Sequence, residues 1–156
     1  MLVTSPVRKA ILDDRPEILE MCEENWKDNG QFTLSLPKVE AMVDKAFNRG
    51  GTIIGVVGKD KIEAFILLNI AQQWYSDDWM LEETMNYVRP PYRKSTHAKD
   101  MMSFGKRCSD ELGITLAIGV VSNERTRAKM ELYRRQFGEP CGGYFLYHPK
   151  TVALTA

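Results

Sequence analysis

The spacing of apolar residues divides this chain into short strands and amphipathic helices. Residues 7–12, Val-Arg-Lys-Ala-Ile-Leu, read as a first strand, and Asp13 and Asp14 with Pro16 supply the cap and first turn of a helix. Ile18, Leu19, Cys22 and Trp26 follow at helical spacing until Asn29 and Gly30 end the run. Ser35 and Pro37 open a second helix, with Val39, Met42, Val43, Ala46 and Phe47 on its apolar face and Gly50 at its end. Residues 52–57 and 62–70 read as strands joined by the turn 58–61, and a further strand over 80–88 stops at Pro90 and Pro91. Ala98, Met101, Gly105, Cys108 and Leu112 fall three or four residues apart. They predict a helix from Ser95 to Leu112 with one core-facing stripe, stopped by Gly113. Residues 114–121 are nearly all apolar, as in a strand covered on both faces. A basic helix over 124–137 and a strand over 141–147 complete the order β-α-α-β-β-β-α-β-α-β.

This order predicts an α/β (α+β) fold. The early strands form an antiparallel meander, and the β-α-β unit over 80–121 demands a parallel pair with a right-handed crossover. The chain shows no repeat, low-complexity tract or linker, so residues 1–156 are expected to form a single domain. Cys22, Cys108 and Cys141 have no paired spacing, and with two histidines they offer no zinc ligand set. No metal is expected, and reduced thiols point to a cytoplasmic protein. The start of the chain lacks the apolar core of a signal peptide, and no run is long enough to span a membrane.

The chain carries 21 basic and 21 acidic residues, which gives no global argument for nucleic acid or an anionic membrane. That balance hides an uneven distribution. Cations crowd 89–107 and again 125–135, while Asp77, Asp78, Glu82 and Glu83 form an acidic stretch beside Trp74, Tyr75 and Trp79. One expectation is that this acidic, aromatic hairpin receives a cationic amine.

The chemistry concentrates in Val88-Arg89-Pro90-Pro91-Tyr92-Arg93-Lys94-Ser95-Thr96-His97-Ala98, where a strand meets a helix. The first turn of a helix leaves backbone N–H groups unpaired and carries a partial positive charge. Small residues admit a phosphate, hydroxyls at Ser95 and Thr96 can donate to it, and Arg93 and Lys94 add charge. The segment therefore reads as an anion site; its bland counterpart is a capped helix with a solvated basic first turn.

This segment resembles the acyl-CoA pyrophosphate loop of the GNAT N-acetyltransferases. Arg93, Thr96 and Ala98 fall on the Arg, Gly and Gly/Ala positions of that loop, counted from Val88 at the strand end, with Thr96 standing where Gly is usual. Residues 122–138 are similar to a second family segment, a helix opened by Asn123 and closing with Tyr133 in a Leu-Tyr pair. The interval from Asn123 to Tyr133 is longer than usual by nearly one helical turn, and Phe137-Gly138 reverses the family's final pair.

The resemblance implies a mixed sheet of six to seven strands flanked by about four helices, split between two parallel strands where the pantetheine arm inserts. It implies acetyl-CoA as cosubstrate and a primary amine, on a small molecule or a peptide, as acceptor. Tyr87, Val88, Arg93, Lys94, Ser95, Thr96, His97, Ala98 and Asn123 would bind the cofactor, with the Val88 N–H on the thioester carbonyl and His97 contributing its backbone N–H. Glu82 lies six residues before Val88. A strand's period of two puts both on one face; the resemblance places the glutamate base of many family members at this position, which makes Glu82 the first candidate and Glu83, on the opposite face, the second. Tyr133 would protonate the departing thiolate. The resemblance leaves oligomeric state open, dimers being common in the family. Two rival readings stand beside it: a silent acyl-CoA-binding module, and a nucleic-acid binder using the two cationic segments.

Overall fold

Ala64–Leu68, five apolar residues of which none reaches solvent, form the middle of the sheet. The computed structural model describes residues 6–150. Its strands are β1 (Arg8–Lys9), β2 (Thr52–Val57), β3 (Ala64–Gln72), β4 (Trp79–Val88) and β5 (Thr115–Ala117), in the spatial order β1-β2-β3-β4-β5. The first four pair antiparallel; β4 and β5 pair parallel, as the β-α-β pattern requires. The helices are α1 (Arg15–Asn29), α2 (Leu36–Asp44), α3 (His97–Leu112) and α4 (Thr126–Phe137). Single 3₁₀ turns occupy Leu12–Asp14 and Pro90–Tyr92.

Alternation along the strands separates two apolar layers. On one face Ile54, Val56, Phe65, Leu67 and Tyr87 pack with Ile18, Met21 and Cys22 of α1 and Val43 of α2. On the other, Val57, Ile66, Leu68 and Leu81 pack with Met101, Phe104 and Cys108 of α3. Phe104 lies so close to β2 that a Cβ at Gly55 would sit 2.7 Å from its ring. Gly113 adopts φ 66° and closes α3 in the left-handed conformation that favours glycine.

Several expectations are corrected. The first strand shortens to two paired residues, because the Asp14 carboxylate accepts from the Ile11 N–H (2.8 Å) and from Arg8 (2.7 and 2.9 Å) and folds the chain into its 3₁₀ turn. The Arg8 guanidinium also holds the Asp14 carboxyl below its usual range. Among the described residues the sheet has five strands, not six or seven. Residues 141–147 join no ladder among the described residues; Phe145 is fully exposed, so no apolar burial offsets the entropy of ordering a strand there. With nothing paired beyond it, β5 is an edge of three half-exposed residues rather than a strand covered on both faces. The α3 stripe extends to Met102 and Phe104, and Leu112 lies outside it, 48% exposed.

Arg89 joins the sheet to α1. Its guanidinium is buried, donates to Glu17 (2.9 Å), to both Glu24 oxygens (3.1 and 3.2 Å) and to the Ile62 carbonyl (2.9 Å). It is therefore a structural ion cluster and no part of a basic surface. Removing one member of such a cluster strands the other charges. Arg89→Ala is expected to cost about 3 kcal/mol of unfolding free energy, seen as a lower urea midpoint at unchanged m-value.

Candidate active site

An irregularity in β4 decides which side chains meet. The β3–β4 register pairs Leu68 with Glu83 but Leu67 with Met85, so Thr84 is an extra residue, a β-bulge. Side chains hold it in place. The Asn69 amide donates to the Thr84 hydroxyl (2.6 Å), and Thr52 donates to the Asn69 carbonyl oxygen (2.6 Å). One extra residue inverts the alternation. Glu83, Asn86 and Val88 therefore pair with Leu68, Ile66 and Ala64 and share their face. Glu82 pairs with Asn69 on the opposite face, with Met85 and Tyr87. The expectation that Glu82 lies on the face of Val88 is corrected for that reason: a strict period of two does not cross a bulge.

The bulge also marks where the sheet opens. β5 pairs with β4 only from Met80 to Glu82. Bulges bend a strand and increase its twist, and beyond Glu82 the edge of β4 has no ladder partner among the described residues on that side. The Arg89 N–H points to β3, where it donates to Glu63 (2.9 Å). Successive residues alternate direction, so the Val88 N–H points away from β3, toward the opening. The Val88 carbonyl points the same way and accepts from Arg93 Nε at 3.0 Å.

Two cavities occupy this opening. One, of about 340 Å³, is lined by Tyr87, Val88, Arg93, Ser95 and Ala98 on the sheet and loop side and by Asn123, Arg125 and Tyr133 opposite. The other, of about 760 Å³, lies between β4, the α1–α2 region and residues 117–121. Asn29, Asn86, Lys129 and Tyr133 line both and form the neck between them.

At this neck the Tyr133 hydroxyl donates to Glu83 Oε2 at 3.2 Å. Burial pushes the Glu83 carboxyl up to about 7, opposed by the Tyr133 hydrogen bond and the Lys129 charge. Burial and the Glu83 charge drive the Tyr133 phenol above its usual range. Burial beside Arg125 and Arg93 lowers Lys129, whose Nζ donates to Asn29 Oδ1 at 3.3 Å. Asn86 Nδ2 is buried and meets no acceptor in full hydrogen-bond geometry among the described residues, though it lies near enough to the Tyr133 hydroxyl to oppose the rise of that phenol. A buried donor in that condition is costly unless something else binds it.

The other predicted residues divide into two groups. Tyr87, Val88, Arg93, Ser95, Ala98, Asn123 and Tyr133 gather around the smaller cavity; Lys94, Thr96 and His97 do not line it. The Thr96 hydroxyl donates to Asp100 (2.8 Å), and the His97 ring lies 3.3 Å from Glu63. Arg93 is engaged with Asp28 at 2.8 Å, as is the Tyr87 hydroxyl at 3.3 Å. The Asn123 carboxamide donates to the Asp28 carbonyl (2.9 Å) and accepts from Gln31, so it fastens the loop before α4 to the end of α1. Sequence reasoning missed Asp28, Asn86 and Lys129, and placed Glu83 second. The i, i+2 placement of Asn86 before Val88 was the one available signal for any of them. Of the acidic, aromatic stretch, Glu82 and Glu83 line the larger cavity, whereas Trp74, Tyr75, Asp77, Asp78 and Trp79 line neither. These five lie at the far end of β3 and β4 from Val88.

No family model and no curated protein matches the sequence. Solved structures do. The chain is similar to a possible acetyltransferase from Clostridium difficile 630, at 17% identity and a TM-score of 0.70, over 94% of this chain and 97% of that one. It is similar to a predicted acetyltransferase from Clostridium acetobutylicum solved with acetyl-CoA, at 12% identity and a TM-score of 0.73, over 92% and 94% of the two chains. The chain has the GNAT N-acetyltransferase fold. A third GNAT-fold neighbour is AAC(6')-Iy in complex with the bisubstrate analogue CoA-S-monomethyl-acetylneamine, at 11% identity and a TM-score of 0.72, over 93% and 97%. Here the GNAT fold is reached with five paired strands among the described residues and with its parallel pair reduced to three residues of contact.

The raised Glu83 carboxyl has a consequence for stability. Its folded value near 7 exceeds its ordinary 4.5, so the folded state holds more protons between those values. That contribution is fully present below the ordinary value and is lost as pH rises through 7. Melting curves from pH 5 to 8 should show Glu83→Gln gaining on the parent as pH rises; parallel curves would place Glu83 in a solvated setting.

Proposed function

We propose that this protein is an acyl-CoA-dependent N-acetyltransferase that passes an acetyl group from acetyl-CoA directly to a primary amine. The observation that carries this reading is the Glu83–Tyr133 hydrogen bond at the neck of two cavities, just where β4 and β5 part. The smaller cavity is the side for the CoA arm. Arg93 and Arg125 line it for the phosphates, and the outward Val88 N–H and the buried Asn86 amide offer donors for the thioester carbonyl. The larger cavity is the side for the amine.

Acetyl-CoA supplies the activated acyl group, and the chain's residues handle protons. Glu83, poised near neutrality, takes the proton that the acceptor ammonium must lose. The free amine nitrogen bonds to the carbonyl carbon, and the carbon–sulfur bond breaks with its electron pair on sulfur. Tyr133 gives its proton to that sulfur and recovers one from Glu83 through their hydrogen bond. The nitrogen sheds its second proton to the regenerated Glu83 carboxylate, which passes it to solvent, so the products are the amide, the CoA thiol and one proton. Cys22 lines the larger cavity, but burial pushes its thiol up to about 12, which argues against an acyl-cysteine intermediate and for direct transfer.

A second reading, a silent acyl-CoA-binding module, draws on Asp100, an anion in the first turn of α3, and on the engagement of Arg93 with Asp28. Both readings predict that acetyl-CoA at 100 times its Kd raises Tm by roughly 5–10 °C. Thiol release in the presence of amines separates them. For the enzyme, Glu83→Gln and Tyr133→Phe should each lower kcat roughly 100-fold or more, with the Tm rise by acetyl-CoA retained. The parent kcat/KM should climb with pH through about 7. Full activity in Glu83→Gln with loss in Glu82→Gln would move the base to the opposite face.

A further inference from the structure

The larger cavity has a chemistry of its own, and it bears on the acceptor. Its walls are apolar: Cys22, Trp26, Val39 and Met42 from the helical side, with Ile118 and Val120 facing them. Among its lining residues the carboxylates are Glu82 and Glu83 and the cation is Lys129; Glu83 and Lys129 stand at the neck, and Glu82 is the chain neighbour of Glu83 on the other face of β4. The acidic residues that could extend this set, Asp77 and Asp78, line no part of it. The neck end is therefore polar and close to charge balance, and the remainder is mostly hydrocarbon and aromatic, with the uncharged side chains of Asn25, Gln31 and Thr84 among it. The volume, about 760 Å³, lies in the range of small-molecule sites.

We propose that the acceptor is a primary monoamine carried on an apolar body, not a polycation. This rests on the acetyl-transfer reading and adds the substrate class to it. The single ammonium sits at the neck against Glu83, within reach of the thioester. The apolar body lies against Val39, Met42, Ile118 and Val120, where burial of its surface supplies the affinity. A second or third ammonium in that region meets no carboxylate, and burying an unpaired charge is expensive. Lys129 at the neck repels extra positive charge further. An aminoglycoside or polyamine site needs carboxylates along its length, and this cavity has them at one end.

The test uses the full chain saturated with CoA, so that amine binding is read by calorimetry without turnover. 2-Phenylethylamine and hexylamine are compared with spermidine and neamine, and the same panel is run for thiol release with acetyl-CoA. Both monoamines should bind at least about 10-fold tighter than either polycation, the cost of one unpaired buried ammonium being at least that large. Val120→Glu, in a segment outside the paired strands, should weaken the monoamines and strengthen spermidine. Equal or tighter binding of spermidine or neamine overturns the proposal, as does CoA binding with no monoamine bound. Monoamine binding without thiol release upholds the cavity's preference for a single ammonium on an apolar body and overturns the transferase reading on which its role as acceptor rests.

Discussion

Thr84 is one residue more than the β3–β4 ladder can pair, and the site follows from that surplus. The bulge inverts which residues of β4 face α3 and α4, bringing Glu83, Asn86 and Val88 into one row. It bends β4 where β5 ceases to follow, so the opening between the strands begins one residue beyond their last shared pair. An interruption of the ladder of this kind is kept where its surroundings insist on it. The insistence here is chemical: Thr52, Asn69 and Thr84 join three strands through two short side-chain hydrogen bonds.

A second constraint operates through charge. A neutral total conceals two internal settlements. Arg89 binds the acids of α1 beneath the sheet, and Arg93, Asp28 and Asn123 lock the end of α1 to the loops before α3 and α4. Both place α1 against the open edge of β4, so one helix helps bound both cavities. Charges that read along the chain as a cationic surface are thus partly interior fixtures.

What was legible in the sequence follows from how local its causes are. The helices of this chain declare themselves in apolar spacing and in caps such as Pro16 and Gly113, and the structure has all four within a few residues. The β-α-β inference required the parallel pair, and it is there. The anion-site segment does lead from strand to helix beside a cavity. What was not legible depends on three-dimensional partners. Nothing in Glu-Glu-Thr-Met marks Thr84 as the bulged residue, because the bulge depends on Asn69, fifteen residues earlier on another strand. The argument that put Glu82 on the face of Val88 failed at that point. Residues 141–147 have the composition of a strand but no exposed ladder that takes them, and composition alone cannot supply one.

Tyr144 and Leu146 nevertheless line the larger cavity. They do so from a stretch of chain that bears no part of the sheet's hydrogen bonding. Substitutions at these two positions reshape the wall of the site while leaving every strand pair and both apolar layers untouched. In a lineage under selection for a new ligand, such positions are free to drift and be recruited, because the fold does not depend on what occupies them.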